Sequence, residues 1–475
     1  MTYFLFHKNV KVLSANFNSE NNLFLDVIEI FNDKHIPIGL QTMPQTNFTK
    51  ALNFWWQSRL IPKNRNYSHN INFNLSEYYK NSNGFNLSDQ YWIKDENSQM
   101  TWEEGNFFQN DFDKDIGEYL ITQNNHLLQN LKSNTPDLFS NGEQDKRWII
   151  ENNKRYLLKY GKPPYYQQPF NEKLVSEICK QLKINYVNYN CVVKNPEQPI
   201  FYSSCKCFID ENTEFVPAGF VQYAFKKEKG VSEYQHLINC CKKLKMPDIQ
   251  NIENEFAKMN IVDYIVANVD RHYGNFGFIR DVKTLEWKGV APIFDTGNSI
   301  FFDLPTSDLR KSTSLTENVI SKSFSQTQKK QIIKFANQEA LLDLNFSKLK
   351  DIDKYFQEIL QQNLKIDKER RELLSNILLQ RIEDVQRLIF FYNDITKNFL
   401  LDISKDNSSE DFFKKVVKAK NNVENLGLKE NKVIENYLKN LKPISKEDFE
   451  EKLKIDINNI SKSKQKLQKT YDRER

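Results

Sequence analysis

Three side chains with oxygen donors stand at a spacing that suits chemistry on phosphate. Asp270 and Asn275 lie five positions apart in VDRHYGNFGF, and Asp295 follows twenty positions later in APIFDTGNS. Phosphoryl transfer needs a carboxylate that orients the attacking hydroxyl and takes its proton. It also needs oxygen ligands for the magnesium that neutralises the phosphates. Magnesium accepts carboxylate and amide oxygens and keeps several waters. The pattern therefore places Asp270 toward an acceptor and Asn275 with Asp295 toward one metal.

The elements around these residues must bring them together. EFAKMNIVDYIVANV carries Phe256, Met259, Val262, Ile265, Val266 and Val269 at helical spacing, so Asp270 should sit on a loop directly after a buried helix. FGFIRD and EWKGVAPIFD read as a hairpin, with Asp295 at the end of the return strand. Gly277 and Gly297 give the backbone room beside the site. A lone D-x-x-x-x-N is common, and as caps and turn formers these residues would mean nothing. The following hairpin and the apolar-apolar-Asp-x-Gly make the pattern far more specific.

Upstream, KRWII and KRYLLKY flank Glu151–Asn152–Asn153, a hairpin signature. NEKLVSEICKQL reads as a helix with Leu174, Ile178 and Leu182 on one face, and YNCVV, FYSSCKCFI and EFVPAGFV read as strands. Residues 1–60 read as short strands, except for a helix in KALNFWWQSRLIP that Pro62 should stop. Residues 63–90 are rich in Asn and read as an irregular connection, and 88–122 are ambiguous. Beyond about residue 230 the chain reads as mostly helical, for instance in RRELLSNILLQRIEDVQRLIFFYND.

Hydrophobic residues make up 39% of 475 and charged residues 27%, which suits a globular chain with a real core. The six cysteines have neither disulfide-scaffold density nor CxxC spacing, so reduced thiols and a cytoplasmic setting are expected. MTYFLFHK lacks the pattern of a secretory leader, and no run of 18 apolar residues predicts a membrane span. The net charge of +5 sits largely in residues 461–475, with six basic residues against two acidic ones. Such a tail could attract nucleic acid, which nothing else indicates, but a solvated helix end is the simpler reading.

DRHYGNFGF with APIFDTGNS resembles the HipA-like kinase family, whose C-terminal domain carries D-x-H-x-x-N and a later apolar-x-Asp-x-G. Phosphoinositide kinases share a similar loop, so this motif alone does not choose between them. NGEQDKRWII, similar to a G-x-Q-x-K phosphate loop entering a strand, and PFNEKLVSEICKQLKI favour the HipA-like group. WWQSRLIP also looks like the segment before the kinase core in some members. The resemblance covers most of residues 1–400, most specifically around 140–180 and 262–300.

The resemblance implies an α+β, bilobal protein kinase-like fold. A β-rich small lobe (126–228) and a mostly helical large lobe (229–400) would be joined by an N-terminal α/β region (1–125) and a basic helical extension (401–475). It implies ATP and Mg as cofactors, Asp270 as catalytic base, and Asn275 and Asp295 as metal ligands. Lys159 would reach the α- and β-phosphates, paired with Glu172 or, less favoured, Glu177. Gly142 and Lys146 would belong to the phosphate loop, and Cys207 and Phe208 to the hinge that meets adenine. Ser140 lies near the position where toxin members carry a phosphorylatable serine. The implied activity is that of a serine/threonine protein kinase with a protein substrate and possible control by a partner protein. A lipid or small-molecule kinase, or a nucleotide-binding pseudokinase acting as an interaction module, are the alternatives.

Overall fold

The computed structural model describes residues 1–62, 75–122, 124, 126–127, 131–194, 200–311, 319–335, 341 and 344–403. Met1–Ile332 with Glu339–Ile382 form one compact unit, which holds every candidate site residue. Ile333–Gln338 with Glu383–Arg475 form the other, whose described part is mainly the C-terminal length of a long helix.

The chain opens with an antiparallel sheet of β1 (Thr2–His7), β2 (Val10–Asn18) and β3 (Leu23–Ile30), completed on the far side of β1 by β4 (Tyr91–Asp95). Between β3 and β4 lie α1 (Gln45–Gln57) and α2 (Leu75–Lys80). α1 buries Phe48, Leu52, Trp55 and Trp56, the apolar stripe of FTKALNFWW, in the core over this sheet. It ends at Gln57, ahead of Pro62. Of the Asn-rich stretch, 63–74 lie outside the described residues. The ambiguous stretch contains β4, α3 (Trp102–Gly105) and α4 (Asp115–Thr122). Thr101 and Glu104 form a reciprocal capping box on α3.

The second sheet has the order β5-β6-β8-β7, all antiparallel: β5 (Lys146–Glu151), β6 (Lys154–Tyr160), β7 (Tyr189–Lys194) and β8 (Ile200–Lys206). Asn152 and Asn153 both take positive φ, 48° and 59°, which a two-residue turn between twisted strands demands and asparagine tolerates. α5 (Gln168–Leu182) buries Phe170, Leu174, Ile178 and Leu182 and packs on β7 and β8.

The third sheet is β11-β10-β9, from β9 (Thr213–Pro217), β10 (Gly277–Asp281) and β11 (Trp287–Val290). Reading EFVPAGFV as one strand is corrected: the strand stops at Pro217 and α6 (Ala218–Tyr223) starts at once. Proline lacks the amide to continue a ladder and its fixed φ suits a helix start. The return strand is also shorter than expected. β11 ends at Val290, and residues 291–295 run on without a strand, touching Tyr186 through an isolated bridge at Ile293.

Helices dominate the remainder: α7 (Glu233–Lys243), α8 (Ile249–Ile265), α9 (Thr306–Leu309), α10 (Gln328–Phe335), α11 (Ile352–Leu360) and α12 (Lys368–Ile403). A two-residue-strand hairpin, β12 (Ile320–Ser321) with β13 (Gln326–Thr327), precedes α10. The architecture is a mixed α/β fold with several antiparallel sheets. Among the described residues no helix is long and apolar enough to cross a membrane.

Candidate active site

Lys159, Glu172 and Asp295 converge from three separate elements. Lys159 stands on β6, Glu172 on the first turns of α5, and Asp295 on the segment after β11. The ammonium of Lys159 pairs with Glu172 Oε1 and with Asp295 Oδ1. Lys159 and Glu172 are buried, whereas the Asp295 side chain keeps 28% of its surface exposed. A buried charge needs such pairing, because removing one partner of a buried pair costs about 3–5 kcal/mol. Burial alone would push the lysine's pKa down, but Asp295 and Glu172 more than offset it and hold it above its ordinary value. Burial likewise pushes the Asp295 carboxyl up, and Lys159 and then Lys146 reverse this and hold it well below the usual carboxylate range. The carboxylate is therefore ionised at any physiological pH. Asp295 has φ of 55°, the left-handed region that a non-glycine residue adopts at a cost. Its amide donates to the buried Tyr189 hydroxyl at 3.3 Å, and Thr296 Oγ1 donates to Glu172 Oε2 at 3.2 Å.

Asp270 stands on the loop after α8. That loop is clamped from beneath by Arg271, which is fully buried. Arg271 Nε and one terminal nitrogen grip Asp263 at 2.9 Å each, and the other donates to the backbone carbonyls of Asn275 and Phe294 at 2.6 and 2.7 Å. One guanidinium thus ties the Asp270–Asn275 loop to the residue before Asp295. Both carboxylate oxygens of Asp270 are engaged: Asn298 Nδ2 donates to Oδ2 at 2.9 Å and Lys322 Nζ to Oδ1 at 2.5 Å. The Asp270 side chain keeps 22% of its surface exposed. Burial holds the pKa of the neighbouring His272 below its ordinary value, and Nδ1 accepts from the Gly274 amide at 3.0 Å.

Asn275 Nδ2 donates to the Asp270 carbonyl at 2.9 Å, so Oδ1 is the end it can offer elsewhere. On Asp295, Lys159 occupies Oδ1 and leaves Oδ2. One carboxylate and one amide oxygen fit an ion that keeps water and takes further ligands from substrate phosphates. They do not make a cage by themselves, and among the described residues no group of three or more His, Cys, Asp or Glu side chains gathers as one.

The other predicted residues fall at varied distances from this centre. Lys146 is registered directly opposite Lys159 across β5 and β6, and its Nζ donates to the Asn141 carbonyl at 2.7 Å. Gly142 has φ of 103°, and an added Cβ there would meet the Lys146 ammonium. The loop and the site are therefore adjacent. Glu177 instead pairs with Lys180 on the outer part of α5 and does not reach Lys159. Cys207 lies just past the end of β8, not within a strand. Its amide is already taken by the Arg155 carbonyl at 2.8 Å, so that donor cannot serve a ligand. Phe208 does approach the centre, with its ring 5.3 Å from that of Phe294.

Tyr189, Asn298 and Lys322 escaped the sequence reading, as did Asp263, the carboxylate that Arg271 grips. Asn298 sits within the DTGNS motif and could have been suspected. Lys322 lies 52 positions from Asp270 in an unremarkable polar stretch and carries no sequence signal.

No protein-family model and no curated protein matches the chain. Among solved structures, the chain is similar to the Helicobacter pylori proinflammatory kinase CtkA, with TM-score 0.40 and 19% identity over 52% of this chain and 95% of that one. It is also similar to the Shewanella oneidensis MR-1 toxin–antitoxin system of HipA, HipB and operator DNA, with TM-score 0.45 and 12% identity over 82% of this chain and 99% of that one.

Proposed function

We propose that the chain is an ATP- and magnesium-dependent phosphotransferase of the HipA-like type, acting on a serine or threonine hydroxyl of a protein. The observation that carries this reading is the convergence of Lys159, Glu172 and Asp295, tied through Arg271 to the loop that carries a third carboxylate, Asp270. Glu172 holds the lysine at fixed geometry, and a lysine so held serves the α- and β-phosphates. Asn275 Oδ1 and Asp295 Oδ2 would hold the magnesium, which neutralises phosphate charge when bound. Asp270 accepts the proton of the acceptor hydroxyl. On this reading residues 126–228 form the small lobe and 229–400 the large lobe, with 1–125 and 401–475 appended.

The test is thermal unfolding with ATP, with and without magnesium, followed by transfer of γ-phosphate to a generic protein substrate. A ligand at 100 times its Kd stabilises by about 2.7 kcal/mol, an easily measured shift. A magnesium-dependent ATP shift accompanied by transfer supports the reading. A well-folded protein with no shift from ATP and magnesium overturns it.

A further inference from the structure

Lys322 is a surface lysine by exposure, with 61% of its side chain open to solvent, yet its neighbours are not surface residues. Ser321 and Ser323 are both buried and their hydroxyls share a hydrogen bond of 2.8 Å. Gln331 Nε2 holds the Ser323 carbonyl at 2.6 Å. Phe324, at φ 57°, is fixed by its ring against Tyr234, Tyr273 and Phe276 at 5.3–5.9 Å. At the base of the hairpin Gln328 Nε2 donates to the carbonyls of Asp263, in the last turn of α8, and of Asn268, on the loop that leads to Asp270. The β12–β13 hairpin is thus a well-anchored stage that presents one exposed cation to the candidate base.

An ion pair this exposed contributes about 0–1 kcal/mol to folding, so stability does not explain the arrangement. Reach does. An acceptor oxygen hydrogen-bonded to Asp270 lies about 3 Å from that carboxylate. An ammonium already on the same carboxylate is one swing of its stem from the phosphoryl group passing to that oxygen.

We propose that Lys322 is a catalytic residue that leaves Asp270 when substrates bind and donates its N–H groups to the non-bridging oxygens of the transferring phosphoryl group. This rests on the proposed phosphotransferase activity. In the step, the hydroxyl oxygen bonds to the γ-phosphorus and its proton passes to Asp270. The bond from that phosphorus to the β,γ-bridging oxygen breaks, and ADP leaves with the electron pair. Lys322 stays protonated throughout and meets charge that grows on the oxygens.

The experiment uses the full chain with ATP and magnesium, reading ADP formation and γ-phosphate incorporation beside the magnesium–ATP thermal shift. Lys322→Ala should lower kcat about 10²-fold, the usual loss for one preorganised donor to developing charge. The thermal shift and the KM for ATP should not change, and Lys322→Arg should recover part of the rate. In an Asp270→Asn background Lys322→Ala should still cost about tenfold, because the contact is to phosphate and not made through the base. Turnover of Lys322→Ala at or above wild type would overturn the assignment, the latter marking the lysine as a cover on Asp270. So would loss of the thermal shift, or no further loss in the Asp270→Asn background. Wild type that neither binds magnesium–ATP nor transfers phosphate would remove the proposed function itself, and this inference with it. Wild type that transfers while Lys322→Ala matches it removes the inference alone.

Discussion

The unit contains two buried charge networks of similar size, and they end differently. In the first, Glu214 on β9 takes Arg280 of β10 on one oxygen at 2.5 Å and His7 of β1 on the other at 3.1 Å. Arg280 also donates to the Tyr91 hydroxyl at 3.3 Å, His7 stacks on that ring at 4.2 Å, and His7 meets His35 at 2.8 Å. Glu214, Arg280, His7 and Tyr91 are buried and His35 is half-buried at the edge, so this network joins the N-terminal sheet to the third sheet with its Glu214–Arg280 pair closed off from solvent. In the second, Lys159 and Glu172 are just as buried, but Asp295 opens outward at a strained φ. Both satisfy the rule that a buried charge must be paired. A carboxylate closed off with its cation makes a network a joint, whereas a paired carboxylate left open to solvent makes it a site.

The largest expected effect lies on the open side. Asp270→Asn should cut phosphate transfer by about 10²–10⁴, the range for loss of a positioned base. ATP-induced stabilisation should persist, since Asp270 is not part of the Lys159 cluster. Undiminished turnover by the purified variant would assign Asp270 to structure.

Next, the two networks should separate stability from binding. Glu214→Ala strands Arg280 in the interior and should cost about 3–5 kcal/mol of stability. Asp295→Ala leaves Lys159 its buried partner Glu172, so the loss should be clearly smaller. It should nevertheless abolish the magnesium-dependent part of the ATP shift. Denaturant midpoints and calorimetry on both variants check this. If Asp295→Ala destabilises as much as Glu214→Ala and still binds magnesium–ATP, the distinction between joint and site fails.

A smaller effect is set by pH. Burial, aided by His7 and Arg280, holds the His35 imidazole down at about 4, from an ordinary 6.5. The unfolded chain therefore takes up this proton first, and stability falls as pH drops from about 6.5 toward 4. Glu214 acts in the same direction at lower pH. Its carboxyl, held at about 2 by Arg280 and His7 against burial, contributes stability above 4.5 that is lost as pH falls toward 2. Unfolding midpoints between pH 7 and 4 should show the His35 part, and His35→Gln should flatten it. An unchanged slope would place the acid sensitivity elsewhere.

The site was more legible in the sequence where its parts are local. Asp270 with Asn275, Gly142 with Lys146, and the Asn152–Asn153 turn are short-range patterns whose spacing carries the geometry. α5 and β6 are adjacent elements, which put Glu172 within reach of Lys159. The sealed network was invisible, because His7, Glu214 and Arg280 are 207 and 66 positions apart and each is an ordinary residue in an alternating strand. Lys322 was missed for the same reason. The ends of β9 and β11 were misjudged because apolar alternation continues through Pro217 and Pro292, while the backbone does not continue as strand. Periodicity reports burial, and a proline can keep the burial and end the ladder.

The smallest expected effect comes from shortening the chain. Residues 404–475 include the apolar stripe of Val433, Ile434, Tyr437, Leu438 and Leu441 and the basic end, all outside the described residues. The joint at Glu214 and the site from Gly142 to Lys322 both lie within the unit bounded by Met1 and Ile382. Every side chain that pairs with Lys159, Asp270, Asp295 or Glu214 among those described is also within it. Among the described residues, both networks are closed within this unit. A chain ending at Ile403 should keep the magnesium–ATP shift and turn ATP over within about twofold of the full chain, since removal of no network member leaves no charge unpaired. Initial rates on a folded, monodisperse truncation give the answer. A truncation that binds ATP but cannot transfer phosphate would mean that the tail completes the site, and the line drawn between joint and site would then need a third member.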